Sequence, residues 1–196
     1  MSKAAATRAT ILHKAFELIY TKGYQTTSVD DIIATVQVTK GAFFYHFKNK
    51  DEMGAAIIEE LLKPTMINGF IEPMEQSKNP VKDIYNTMKY LLLDDENMQV
   101  AYGCPAGNLT HEMAPRNETF TLALNELMDV WQQAMKKSIA NGKAAGLVRK
   151  DVNASQVAMF VMAGYWGVRN VGKLYNSNAP YITYLKELKI YLKNLQ

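Results

Sequence analysis

Basic, hydroxyl and aromatic side chains are concentrated between Ser28 and Lys50, in the segment SVDDIIATVQVTKGAFFYHFKNK. Hydroxyl, imidazole and ammonium groups are the donors that contact sugar-phosphate oxygens, and small residues at a helix start let the backbone approach a phosphate. Recognition of duplex DNA is therefore the chemistry that this segment predicts, with phosphate contacts setting the affinity and base contacts setting the specificity.

Two short helices joined by a tight turn would position these groups. Ser28 and Asp31 have the spacing of a capping box, which predicts a helix start at Ser28. The chain then passes through Gln37 and Val38 and restarts at Thr39, a second N-cap candidate. A connection this short requires a steep crossing of the two helices, as in a helix-turn-helix motif.

The second helix has one face for packing and one face left open. Val38, Phe43 and Phe47 can anchor it to its neighbours. The residues nearer the open side are Thr39, Lys40, Gly41, Ala42, Phe44, Tyr45 and His46. A helix pair with a basic face can also be an ordinary packing unit, so the pattern by itself leaves that alternative open.

The run TKGAFFYHFKNK, from Thr39 to Lys50, resembles the N-terminal domain of the TetR family of transcriptional regulators. The resemblance covers about the first quarter of the chain. It extends to these preceding residues: Arg8, Ile11, Leu12, Ala15, Phe16, Lys22-Gly23-Tyr24 and Thr26-Thr27-Ser28. It implies an all-α homodimer with a three-helix DNA-binding head and a ligand-binding body, whose repression of transcription is relieved by a small molecule.

The same resemblance assigns roles to individual positions. The phosphate-contacting positions fall on Thr27, Ser28, Lys40, Tyr45, His46 and Lys50. The base-reading positions fall on Gln37, Thr39, Gly41, Ala42 and Phe44. Phe44 departs from the family pattern, because many members have Tyr there. The loss of that hydroxyl favours contact with a thymine methyl group or a sugar.

Charge is unevenly distributed along the 196 residues, although the net charge is only +3. Residues 1–50 contain seven Lys or Arg against three acidic residues, whereas residues 51–100 contain four against ten. The basic end coincides with the predicted DNA-binding head. The only cysteine, Cys104, excludes an intramolecular disulfide. With no secretory or transit signature, the sequence predicts a cytoplasmic protein.

Hydrophobic periodicity and helix-capping residues predict an all-α fold of about nine helices and no convincing strand. Met1 to Ala6 has the composition of a loose tail. After the two helices of the head and the first helix, 7–22, the expected helices are 49–64, 80–93, 103–113, 117–140, 153–175 and 181–195, with breaks at Pro64, Gly69 and Pro73. The predicted domains are a DNA-binding head, 1–48, and a ligand-binding and dimerisation body, 49–196. The helix that begins at 49 would join them.

The last two helices are the predicted dimer interface. The first of them is apolar nearly all round and contains small residues that permit close helix approach. Its run from Val157 to Val168 is too short to span a bilayer. The residues assigned to the interface are Val157, Phe160, Val161, Gly164, Tyr165, Val168, Tyr184, Leu188 and Tyr191. Packing of the two helices only within one chain is the alternative.

Methionine and aromatic side chains in the body could line an adaptable apolar cavity. The candidates are Met66, Phe70, Met88, Tyr102, Cys104, Met113, Phe120, Leu124, Met128, Trp131 and Met162. These residue types suit an ordinary hydrophobic core equally well. The effector, the operator sequence and the direction of regulation are not encoded in any motif.

Cys104 precedes Pro105, which suits the first position of a helix, and a helix N-terminus lowers the pKa of a thiol. A regulator that senses electrophiles or oxidants is therefore an alternative function. The sequence does not support an enzyme with Cys104 as nucleophile and His111 as base, because seven residues of helix separate the two side chains by roughly 10 Å.

The sequence contains no metal-ligand or phosphate-loop pattern, so no cofactor is predicted. A helical adaptor would predict no DNA binding.

Overall fold

A computed structural model describes residues 2–196, and this part of the chain is helical with no strand. When consecutive α and π turns are joined, it contains nine helices, as the sequence predicts. They are α1 (Lys3–Lys22), α2 (Val29–Val36), α3 (Lys40–His46), α4 (starting with Lys50–Ile57), α5 (Pro80–Lys89, extended by Tyr90–Asp94), α6 (Pro105–Met113), α7 (Glu118–Ala144), α8 (Ala154–Tyr175) and α9 (Ala179–Lys193).

Helix α1 begins earlier than the sequence predicts. Ser2 caps it by accepting a hydrogen bond from the Ala5 N–H at 3.2 Å, so the expectation of a loose tail is wrong for residues 3–6. Met1 lies outside the described residues. The helix ends as predicted at Gly23, whose φ of +98° favours glycine.

Helix α4 does not end at Pro64. It continues through a π turn at Ile58–Leu62, an α turn at Lys63–Met66, a second π turn at Ile67–Ile71 and an α turn at Glu72–Glu75. The Lys63 N–H donates to the Ile58 carbonyl five residues back, directly before Pro64. The Glu72 N–H donates to Ile67 in the same way, directly before Pro73. The wider turns accommodate each proline, which lacks an N–H and would crowd a carbonyl in a regular helix.

Helix α7 is longer than the sequence predicts, because it continues to Ala144 through Gly142. A Cβ at Gly142 would overlap the Pro80 ring and lie 3.0 Å from Val148 Cγ2. This glycine therefore lies within α7 and lets that helix approach the first turn of α5 closely. The remaining predicted helices occur with ends shifted by only a few residues.

The chain forms two compact units. The first contains the chain up to Pro64 together with Pro105–Asn125, and the second contains Thr65–Cys104 and Glu126–Gln196. The core of the first unit includes Ile11, Leu12, Ala15, Ile32, Phe43, Phe47, Met53, Ile57, Leu109 and Phe120. The core of the second includes Phe70, Met88, Leu91, Trp131, Met135, Val157, Val161, Tyr165, Tyr181, Leu185 and Leu188. No helix among the described residues is long and apolar enough to cross a membrane.

Candidate DNA-binding site

The inner face of helix α3 is fixed by aromatic packing in the first unit. Phe43 and Phe47 are buried, with ring centroids 5.8 Å apart. The guanidinium of Arg8 lies 4.9 Å from the Phe47 ring and pairs with both carboxylate oxygens of Glu60, at 2.5 and 2.6 Å. This bidentate pair lowers the pKa of the Glu60 carboxyl. Phe43 and Phe47 have the anchoring role that the sequence predicts.

The start of α2 is fixed by the predicted capping box. The Asp31 N–H donates to Ser28 Oγ at 3.0 Å, and Asp31 Oδ2 accepts from both the N–H and the hydroxyl of Ser28. These bonds hold the pKa of Asp31 below its usual value. Ser28 is exposed, so its hydroxyl remains at the surface of the site.

The turn between α2 and α3 is built from Gln37 and Thr39. Gln37 has a φ of +55°, the left-handed conformation that reverses the chain after α2. Thr39 caps α3, as predicted, by accepting from the Ala42 N–H at 3.1 Å. Both side chains are exposed.

The outer face of α3 is open. Tyr45 and Phe44 are 77% and 46% exposed, which is unusual for aromatic residues. Lys40 is exposed and pairs with Asp30 at 3.0 Å, a surface contact that a phosphate can replace. The nearest atom to a Cβ added at Gly41 is 3.9 Å away, so the backbone there is accessible.

The other two predicted residues of α3 lie at the edge of this face. Ala42 and His46 are half-buried, and the His46 ring lies edge-on to Tyr45 with centroids 4.9 Å apart. Seven of the predicted contact residues are thus exposed in one segment: Ser28, Gln37, Thr39, Lys40, Gly41, Phe44 and Tyr45.

Two residues that are predicted to contact phosphates make hydrogen bonds within the first unit. Thr27 is fully buried, and its hydroxyl donates to the Gly23 carbonyl at 2.7 Å. Lys50 Nζ donates to the Tyr24 carbonyl at 2.6 Å and lies 4.2 Å from the Tyr24 ring. Partial burial lowers the pKa of Lys50. The Thr27 hydroxyl and one of the three Lys50 N–H donors thus have partners in the first unit, and a phosphate contact at either residue stays a prediction.

Sequence reasoning missed the polar residues that brace the loop between α1 and α2. The Glu112 carboxylate accepts from the N–H groups of Tyr24 and Gln25, at 3.1 and 2.8 Å. The Tyr24 hydroxyl donates to Asp51 at 2.6 Å. No sequence pattern indicates the pairing with Glu112, since 88 residues separate it from Tyr24.

The predicted pocket residues are mostly core. Met113, Phe120 and Leu124 belong to the first unit, where Phe120 packs edge-on against Tyr24. The others belong to the second unit, where Phe70 packs edge-on against Trp131 with centroids 5.0 Å apart. Phe70 also lines a cleft of about 590 Å³ whose other walls include Thr65, Asn68, Asn86, Leu91 and Asp95. Cys104 is buried, and a sensing role for its thiol stays a prediction.

The predicted interface residues divide into two groups. Val157, Val161, Tyr165 and Leu188 are buried within the second unit. Of the others, Gly164, Val168 and Tyr184 line a groove on α8 and α9. Phe160 is half-exposed and stacks on Tyr191 with centroids 4.3 Å apart. Gly164 is needed within the chain, because a Cβ there would lie 2.7 Å from the Tyr184 ring.

Sequence reasoning did not identify the outward apolar residues near the end of α8. Val171, Leu174 and Tyr175 are 42%, 79% and 67% exposed. Ile182 and Ile190 of α9 are also exposed. Val171 and Tyr175 line a groove of about 740 Å³ on α8 and α9. Nearly every side of α8 is apolar, so the sequence has no 3.6-residue periodicity that would indicate which side of the helix faces outward.

Two family models match the chain. The one described as "Bacterial regulatory proteins, tetR family" matches residues 11–57, and the one described as "Tetracyclin repressor-like, C-terminal domain" matches residues 81–188. A Lactococcus lactis protein described as an uncharacterized HTH-type transcriptional regulator in the lacX 3' region is 29% identical over 68% of each chain. The HTH-type transcriptional repressor DhaR of Mycobacterium sp. strain GP1 is 25% identical over 82% of this chain and 79% of its own.

A solved structure of a TetR transcriptional regulator from Chloroflexus aurantiacus has the same fold. It superposes with a TM-score of 0.88 over 98% of this chain and 96% of its own, at 22% identity. At that identity the likeness shows the fold alone.

Proposed function

Because the chain belongs to the tetR family of helix-turn-helix transcriptional regulators, we propose that it is a repressor that binds operator DNA as a homodimer. A small-molecule effector held in the second unit releases it from the operator. Members of this family act by binding DNA, so the chain is a regulator and not an enzyme.

The observation that carries the proposal is the open face of α3. Its exposed Tyr45 and Lys40 supply a hydroxyl and an ammonium group to phosphates, and Phe43 and Phe47 fix the helix behind them. A rigid helix with exposed donors is the arrangement that a major groove accepts. Phe44 and Gly41 lie on the same face, where an apolar ring and an open backbone suit base edges.

The homodimer is supported by the outward apolar residues of α8 and α9. A two-fold dimer places two copies of α3 on the two halves of a pseudo-palindromic operator. The two DNA-binding heads can be spaced correctly or wrongly for the operator. An effector that binds the wrongly spaced state more tightly weakens operator binding, by the difference between its affinities for the two states.

Selection of bound duplexes from a random DNA pool tests the proposal, at salt concentrations of about 50 and 200 mM. A two-fold-symmetric motif, bound less tightly at the higher salt, is the expected result. Recovery of no motif at either concentration contradicts the proposal for the effector-free protein.

Matched variants locate the interface. Lys40→Met removes one phosphate contact, so the fall of log affinity with log salt should become shallower by about 1 unit of slope. Lys137→Met removes an exposed lysine from α7 and serves as the control. Equal slopes for the two variants would place the DNA contact elsewhere on the molecule.

A further inference from the structure

Besides Ser138 Oγ, the second unit contains four buried polar groups with no hydrogen-bond partner within the described chain. They are Trp131 Nε1, the hydroxyls of Tyr165 and Tyr181, and Arg169 Nε. All four side chains are almost completely buried, at 0–1% exposure. Every one of these groups can donate a hydrogen bond, and buried donors without acceptors are costly and rare.

The four side chains are neighbours. The Trp131 and Tyr165 rings have centroids 5.7 Å apart, and Arg169 Cζ lies 5.9 Å from the Tyr165 ring and 5.6 Å from the Tyr181 ring. Burial raises the pKa of both tyrosines, so both hydroxyls keep their protons at neutral pH. We name this group of four side chains the donor cluster.

Arg169 brings an unpaired positive charge to the donor cluster. Two of its five N–H groups donate to main-chain carbonyls, at 3.1 Å to Leu91 and 2.7 Å to Gly103. None of the ion pairs between described residues includes Arg169. A buried charge is normally paired, because the cost of desolvating it is several kcal/mol.

The donor cluster lies directly behind the cleft of about 590 Å³ in the same unit. Phe70 lines the cleft and also packs edge-on against Tyr165, with centroids 5.6 Å apart. Leu91 lines the cleft and accepts from Arg169. Both walls include π turns, Ile67–Ile71 on α4 and Tyr90–Asp94 at the end of α5, and π turns are common at functional sites.

We propose that the donor cluster binds the carboxylate of a small organic acid, which enters from the cleft past Phe70 and Leu91. A carboxylate supplies up to four acceptor positions and one negative charge, which match the orphaned donors and Arg169. The planar guanidinium suits a carboxylate in particular. This assignment rests on the proposed function, because it names the chemical class of the effector.

Titration of the 196-residue protein with acetate, butyrate, hexanoate and benzoate tests the assignment. Each acid is compared with its uncharged amide and with sulfate and phosphate, and binding is followed by calorimetry and by tryptophan fluorescence, to which Trp131 and Trp166 both contribute. Saturable binding of an acid without binding of its amide is expected. Absence of saturation by every acid up to about 50 mM overturns the assignment. Equal binding of sulfate and phosphate also overturns it, because it indicates a general anion site.

Tyrosine variants separate a ligand site from a structural cluster. Tyr165→Phe and Tyr181→Phe remove the orphaned hydroxyls, so each should weaken acid binding about tenfold. Each should also raise the Tm of the ligand-free protein by about 2 °C or more, since an unpaired buried group is lost. Tyr85→Phe, a half-buried tyrosine of α5 outside the donor cluster, should do neither. A fall in Tm with unchanged acid binding would show that the hydroxyls are structural.

The selected operator then tests the regulatory link independently. Acid binding that leaves the operator complex intact would refute the effector role while the carboxylate site stands. An operator released by other compounds, with no acid bound, would overturn this assignment and leave the proposed function intact.

Discussion

At the scale of single residues, Gly54 determines how closely α4 packs in the first unit. A Cβ at this position would overlap the Phe120 ring and lie 2.8 Å from Tyr24 Cε2. Tyr24 is also tied to Asp51 and Lys50, so its ring cannot retreat without breaking polar contacts. We expect Gly54→Ala to lower the free energy of unfolding by about 1–3 kcal/mol, measured by urea denaturation.

Gly69→Ala is the matched control for that variant. A Cβ at Gly69 reaches only ordinary contact distance from Leu91, at 3.6 Å, and alanine favours a helix. The control should be neutral or slightly stabilising. Equal losses in the two variants would mean that helix α4 is sensitive to any side chain and that the Tyr24–Phe120 contact is not the cause.

Tyr184 gives the second unit a specific sensitivity to alkaline pH. Burial raises its pKa to about 12, and its hydroxyl donates to the Val161 carbonyl at 3.3 Å. An unfolded tyrosine ionises near pH 10, so the neutral phenol contributes stability that is complete below about pH 10 and lost as the pH rises towards 12. We expect the wild-type protein to lose about 1–2 kcal/mol more stability than Tyr184→Phe over this interval.

Denaturation curves at pH 9, 10, 11 and 12 measure this difference. Tyr175→Phe is the control, because that side chain is 67% exposed. Parallel pH profiles for wild-type protein and Tyr184→Phe would refute the assignment of the alkaline loss to Tyr184.

At the scale of the helices, the π turn before Pro64 is a local adjustment that keeps α4 continuous. Replacing Pro64 with alanine restores an N–H donor and removes the ring that crowds the preceding turn. We expect Pro64→Ala to raise the free energy of unfolding by on the order of 1 kcal/mol, measured by urea denaturation. Pro180→Ala, in the first turn of α9 where proline is favourable, should give no gain. A loss of stability in Pro64→Ala would show that the π turn is required by its surroundings.

The helices that the sequence predicts best are those whose ends depend on local chemistry. Ser28, Thr39 and Asn153 each cap the helix that follows, as their positions predict. Asn49 also caps α4, by accepting from the Glu52 N–H at 2.8 Å. Caps involve partners within three or four residues, so a sequence pattern is sufficient to locate them.

Features that depend on distant partners were not predictable. The partners of Thr27 and Lys50 are main-chain carbonyls, which carry no sequence signal. The continuation of α4 past Pro64 depends on a change from α to π hydrogen bonding, which the proline itself does not encode. Arg169 appears in the sequence only as the residue that ends an apolar run, yet the fold buries it completely.

At the scale of the whole molecule, the two compact units are linked by more than one helix. Helices α4 and α7 each begin in the first unit and end in the second. The proposed DNA-binding face belongs to the first unit, whereas the outward apolar residues of α8 and the donor cluster belong to the second. Two continuous helices thus provide covalent routes by which the proposed dimerisation and effector binding can influence the proposed DNA binding.

Operator binding should therefore depend on residues of α8 that never touch DNA. Leu174 is 79% exposed beside Val171 and Tyr175, so we expect Leu174→Asp to place a charge in the proposed dimer interface and convert the protein to monomers. Leu122→Asp, the control, changes another exposed leucine, which is 62% exposed and lies in the first unit, and this variant should remain dimeric.

Sedimentation equilibrium and operator titration are the measurements. A monomer that binds one half-site only is the expected state of Leu174→Asp, with operator affinity reduced at least about a hundredfold. A dimeric Leu174→Asp protein with normal affinity would move the dimer interface away from this face.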